Sequence, residues 1–183
     1  MKLSPNFTLE EMTVSDYAAR HGLDNTPQNE HLMNMRRLAA FLESLRALLG
    51  KPVSINSAYR SPEVNAAIRG SKTSQHCHGT AADIRVSGMI PEQVVKRIIA
   101  STLPFDQVIR EFSDPVRGGG WTHVSIPNTP EAKPRKMALI IDKRVHARTS
   151  QVDNVDLRTC HLAFCDSDIF CFCSAVFGLR SFA

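Results

Sequence analysis

Long apolar runs are missing from this chain of 183 residues: no stretch of about 18 or more uncharged apolar positions occurs, which excludes an ordinary membrane-spanning helix. The opening segment, Met1 to Met12, is polar and acidic where a secretory signal needs a continuous apolar core, so no signal peptide is expected. Basic residues are not bunched. Lys and Arg outnumber Asp and Glu by 22 to 18, for a net charge of +4 and a pI near 8.9, yet the aromatics, 7% of the chain, do not interleave with the cations. A nucleic-acid groove would show such interleaving, so no nucleic acid is expected as a partner. The charge suits loose association with a polyanion such as an anionic membrane or a teichoic-acid-bearing wall, with no stable membrane insertion. Internal repeats and low-complexity tracts are absent too. Five cysteines, an odd number, cannot complete a disulfide framework within one chain. Cys77 stands alone, and Cys160, Cys165, Cys171 and Cys173, with His161 among them, lack the paired CxxC spacing of a structural zinc site; reduced thiols are expected.

What is present suits one hydrophobic core, since 43% of the residues are apolar and the length hardly allows two domains. One domain over residues 1–144 and a Cys- and Phe-rich tail over 145–183 are expected. Thr8 and Glu11 form a capping-box pattern, predicting a helix from about Leu9 through Arg20 that Gly22 closes. Leu32, Met35, Leu38, Leu42, Leu45 and Leu49 recur at steps of three and four, placing them on one face of a long helix that starts near Pro27 and ends at Gly50. Strands are predicted over 52–57, 81–86, 106–112, 121–126 and 136–141. Shorter helices are predicted at 63–68 and 91–100, with a polar loop over 69–80. Helices and strands do not alternate regularly, so the fold class is α+β: a small antiparallel or mixed sheet packed on one side by the long helix.

Two stretches carry chemistry. In the first, Ser74 to Asp83, a helix would rise about 10 Å over seven residues and a strand about 23 Å, so His76 and Asp83 can share a metal only if the chain folds back between them. Gly79 is placed to allow that turn. Asp83 lies on an otherwise apolar strand, where its burial is costly unless a cation or several donors receive it. In the second, Gly118 to Ser125, His123 and Ser125 alternate with Val124 and Ile126, so His123 can face the cleft that Asp83 faces. Two imidazoles, one carboxylate and an open fourth position are the ligand set of a catalytic zinc site.

The pattern H-x-x-G-x-A-x-D at His76 to Asp83, followed some forty residues later by W-x-H-V-S at Trp121 to Ser125, resembles the zinc D-Ala-D-Ala metallopeptidases. That family includes D-alanyl-D-alanine carboxypeptidases and phage peptidoglycan endopeptidases, with lysostaphin-type peptidases and the hedgehog domain as distant relatives. Asn6 to Met12, Ser57 to Pro62, Asn65 and Phe105 to Glu111 are similar to family segments in the same order, so the resemblance covers about residues 1–144. It implies a Zn2+ cofactor held by His76, Asp83 and His123. It also implies that Arg60 binds a substrate carboxylate or the developing oxyanion, and that Ser74 and Gln75 contact substrate backbone.

The general base departs from the family pattern. Better-known members carry a carboxylate three residues, or a histidine two residues, before the final ligand; here those positions are Gly120 and Trp121. A base is still required, and Glu111, at the end of the preceding strand, is the candidate, with Asp114 second and His78 at the cleft rim. The implied activity is hydrolysis of a peptide bond in the peptidoglycan stem by a monomeric phage or prophage lysis enzyme, made in the cytoplasm and acting at the wall after release. The alternatives are a non-catalytic zinc-containing wall-binding module, or a virion-associated hydrolase.

Overall fold

The long helix organises the molecule. In the computed structural model, which describes residues 1–114 and 119–141, helix α3 spans Asn29–Leu49 and ends on Gly50 in the left-handed conformation. Met35, Leu38, Leu42, Leu45 and Leu49 are buried along one face, as the spacing predicts, and Ala39 and Phe41 widen the stripe. Each fully buried side chain of this size contributes about 1.5–3 kcal/mol, so this face anchors the core.

Upstream, the structure has two short helices where one is expected: α1, Leu9–Thr13, and α2, Asp16–His21. The expected capping box at Thr8 and Glu11 is present, but Ser15 starts a second helix by accepting a hydrogen bond from the Ala18 amide at 3.2 Å, with Val14 extended between them. Asn25 Nδ2 donates to the Thr13 carbonyl at 2.7 Å, satisfying an oxygen that the break leaves without a helical partner.

Strands β1, Val53–Ser57; β2, Ala81–Val86; β3, Gln107–Glu111; β4, Trp121–Ser125; and β5, Met137–Ile141, form one sheet in the order β1-β2-β4-β3-β5. Neighbours are antiparallel except β3 and β5, so the sheet is mixed. Two further helices, α4 over Pro62–Ala67 and α5 over Pro91–Ile99, match the expected positions closely. Ala82, Ile84, Val86, Val108 and Val124 pack with α3 and with Val94, Val95 and Ile98 of α5 into one core. Strand side chains alternate, so the intervening residues Asp83, Ile109, Glu111 and His123 leave the sheet on the opposite face. That face carries the chemistry. The polar loop expected over 69–80 contains a 3-10 helix, Gln75–His78, which lies against β2 and closes on Gly79 at φ +69°. The tail expected over 145–183, and the domain boundary at 144, lie outside the described residues.

Candidate metal centre

Register brings two of the three expected ligands together: Asp83 on β2 and His123 on β4 are Cα partners in an antiparallel pair. The third arrives from the 3-10 helix. A Cβ on Gly79 would press on the His31 carbonyl and Met35 Cγ of α3, each at 3.0 Å, and φ there is +69°, so glycine lets the chain turn back after His76 without strain. The fold-back that the seven-residue spacing requires is thus a 3-10 turn pressed on the long helix.

All three side chains are buried. His76 Nδ1 lies 2.6 Å from the Ala58 carbonyl, which can only accept, so this nitrogen carries a proton and Nε2 is the atom turned toward the other two side chains. Nε2 lies 3.2 Å from His123 Nδ1 and 3.3 Å from Asp83 Oδ1, and His123 Nδ1 lies 3.0 Å from the same oxygen. A tetrahedron about zinc, with bonds of about 2.0–2.1 Å, has edges of about 3.3 Å, close to these separations. Three lone-pair donors facing one another repel unless a cation or proton lies among them. The donor set therefore fits a divalent ion with two imidazoles and one carboxylate. Burial alone would raise the Asp83 pKa, but the charge and hydrogen bonds of His76 and His123 outweigh it and hold this carboxyl well below the usual range.

Arg60 follows β1 and lies against the ligands. Its Nη2 donates to Asp83 Oδ2 at 2.5 Å and its Nε to Ser57 Oγ at 3.0 Å. The guanidinium thus grips the second oxygen of Asp83 while the first faces the histidines. Glu111 lies on the same sheet face, two residues beyond Ile109, the Cα partner of His123 on β3. Burial, and after it the negative charge of Asp83, push its pKa up to about 7, against the weaker opposing pull of His123 and Arg60.

Other expected site residues are distributed differently. Gln75 turns into a buried network: its Nε2 lies 3.1 Å from both Asp106 Oδ2 and the Ile126 carbonyl. Arg135 clamps Asp106 through its backbone amide and its guanidinium, and Thr80 joins through Asn128 Oδ1 at 2.8 Å. The Gln75 amide nitrogen is thereby occupied away from the histidines. Ser74 is half-buried and its hydroxyl does not cap the 3-10 helix. His78 is exposed, with its carbonyl accepting from Asn34 Nδ2 at 2.9 Å, and Asp114 is half-buried beyond the end of β3. Three supports escaped sequence reasoning: the Ala58 carbonyl, the Ser57 hydroxyl and the Asp106–Arg135 pair. A carbonyl leaves no residue-type signal, whereas an aspartate directly before an apolar strand was a visible hint of a buried ion pair.

A buried His-Asp-His cluster able to hold a metal ion, on the face of an α+β sheet away from α3 and α5, is the class of site the fold defines. The chain belongs to the peptidase M15 family, whose model matches residues 5–125 and so includes every expected site residue. It is thus a member of the zinc D-Ala-D-Ala metallopeptidase family that its motifs resemble. No curated protein matches the chain. Among the described residues, no helix is long and apolar enough to cross a membrane.

Proposed function

We propose that this protein is a zinc peptidase that hydrolyses a peptide bond of the peptidoglycan stem. The observation that carries the reading is the convergence of His76 Nε2, His123 Nδ1 and Asp83 Oδ1 within 3.3 Å of one another, with Glu111 on the same sheet face. Bound there, zinc supplies a Lewis acid for the scissile carbonyl and makes a water acidic enough to attack near neutral pH. Glu111 takes the proton of the attacking water on a carboxylate oxygen and returns it to the nitrogen of the leaving amine, so that one acid product and one amine product form. Burial and the charge of Asp83 raise this carboxyl in the metal-free fold, and a bound dication would draw it back toward the ionised form that accepts the proton. Arg60 fixes Asp83 and presents a charge that never dissociates to the developing oxyanion or to a substrate carboxylate.

Family membership and net positive charge support action at a polyanionic wall, and a phage or prophage lysis enzyme working there after release is the setting we favour. The non-catalytic alternative drew its force from the missing carboxylate before His123. Glu111 supplies a carboxylate from the neighbouring strand, which favours the enzyme. The test is digestion of purified sacculi with and without chelator, read by mass spectrometry of the released fragments. Metal-dependent release of new amino termini marks an endopeptidase, and release of free terminal D-alanine a carboxypeptidase. Hydrolysis unaffected by chelation, or absent from zinc-loaded protein, rejects the reading.

A further inference from the structure

Trp121 opens β4 as the Cα partner of Glu111 on β3, so the two side chains leave the sheet on the same face as neighbours. The indole Nε1 is buried and makes no hydrogen bond among the described residues. A buried N–H without an acceptor is rare in folded proteins and calls for an explanation in function or in solvent. The ring has little freedom to seek one elsewhere, since it packs against Phe112 with ring centroids 5.2 Å apart and planes at 55°. Phe112 is itself held at φ +49°, a conformation seldom adopted by aromatic residues. The indole dipole favours the ionised form of the Glu111 carboxyl, although the N–H makes no hydrogen bond to it in this state. With three rotatable bonds, the glutamate is the partner able to close the gap.

We propose that Trp121 is a positioning residue for Glu111: its Nε1–H engages one carboxylate oxygen and so directs the other toward the His76, Asp83 and His123 cluster, where the proton of the attacking water is taken. This rests on the reading of Glu111 as general base. Burial of the indole N–H, its strand register opposite Glu111 and its packing on Phe112 all serve that single contact. The other charged groups acting on Glu111 are Asp83 from β2, His123 from β4 and Arg60 from the segment after β1.

Trp121 is the only tryptophan in the chain, so its emission reports the contact without substrate. In metal-loaded protein, the emission is expected to change with pH through a single ionisation, and Glu111→Gln to abolish that change while keeping metal stoichiometry and far-UV spectrum. Emission that is flat with pH in the parent protein, or that still titrates in Glu111→Gln, overturns the proposal; in the second case Asp83 or His123 is being sensed instead. Trp121→Phe keeps the ring and loses the donor. It is expected to move the acid limb of kcat/KM upward by about one pH unit, with KM and metal content within about twofold, because the lost donor favoured the ionised base. An unmoved limb overturns the proposal, and this variant decides alone should Glu111→Gln fail to fold. The two readings fail separately. Emission that depends on Glu111 in a protein without hydrolytic activity keeps the contact and removes the peptidase, whereas Glu111-dependent hydrolysis with flat emission does the reverse.

Discussion

Replacing Glu111 by glutamine should stabilise the metal-free protein at high pH and leave it nearly unchanged at low pH. An ordinary glutamate titrates near 4.5 and this one near 7, because burial and the charge of Asp83 disfavour its ionised form. At 1.36 kcal/mol per pH unit, ionising it in the fold costs about 3 kcal/mol more than in the unfolded chain. The sign follows from the raised folded value. Stability attributable to the neutral carboxyl is complete below about pH 4.5, declines as pH rises and is lost once pH passes about 7. Glutamine has the same shape and never ionises, so it escapes the decline. Urea unfolding of chelated parent and variant across pH 4 to 9 would show the two curves close together at the acid end. They should diverge by up to about 3 kcal/mol by pH 8, the variant being the more stable. Comparison at each pH removes the contribution of every group that titrates alike in both proteins. Adding zinc should shrink the gap, since a dication beside the carboxylate favours its ionised form. A constant difference across the range would refute the account of Glu111 as a buried carboxyl strained by Asp83.

Three further outcomes follow from the geometry. Saturating zinc, at about 1,000 times its dissociation constant, should stabilise the protein by about 4 kcal/mol in thermal or urea unfolding, and His76→Ala or Asp83→Asn should abolish that gain. Gly120→Ala should destabilise by about 2 kcal/mol or more in urea, because Gly120 has φ +71° and a Cβ there would lie 2.4 Å from the Glu111 carbonyl, whereas Gly119→Ala meets no atom of the described residues within 4 Å and bears the backbone cost of its positive φ. Gln75→Ala should lower stability by about 1–3 kcal/mol by leaving Asp106 and the Ile126 carbonyl short of a donor, while Ser74→Ala should leave stability within about 0.5 kcal/mol and act, if anywhere, on KM.

Much of this site is local in sequence and was therefore legible. His76, Gly79 and Asp83 lie within one turn and strand, and the alternation of Val124 with His123 reveals which face each occupies. The α3 stripe is legible for the same reason, because its period is a property of one helix. Long-range features are different. That Ser57, Arg60 and Asp83 form one chain of contacts depends on the pairing of β1 with β2, and that Ala58 holds His76 Nδ1 depends on a carbonyl that any residue could supply. The family resemblance implies that Gln75 contacts substrate backbone. In a 3-10 helix, however, neighbouring side chains diverge by about 120°, and His76 faces β4 while Gln75 faces Asp106. The division of residues 9–21 into two helices hinged on competition between Ser15 as cap and Ser15 as helix interior, which short-range propensity does not decide.

The glycine at position 120 and the glutamate at position 111 are one structural decision. Family members with a carboxylate three residues before the last ligand need a side chain at that point of the final strand. Here the backbone of residue 120 lies against the Glu111 carbonyl, with Ser113 N and Cα only 2.7 Å from where a Cβ would stand. Main chain packs on main chain, and no side chain fits. That same closeness draws the end of β3 alongside the start of β4, setting Glu111 opposite Trp121 and on the face that His123 occupies. The Gly120 carbonyl also accepts from Arg85 Nε at 3.2 Å, tying this corner to β2. A carboxyl brought in from β3 is buried and feels the negative charge of Asp83, which is why its pKa rises to about 7. The departure from the family pattern thus moves the candidate base across one strand pair, and the glycine is what makes room for the move.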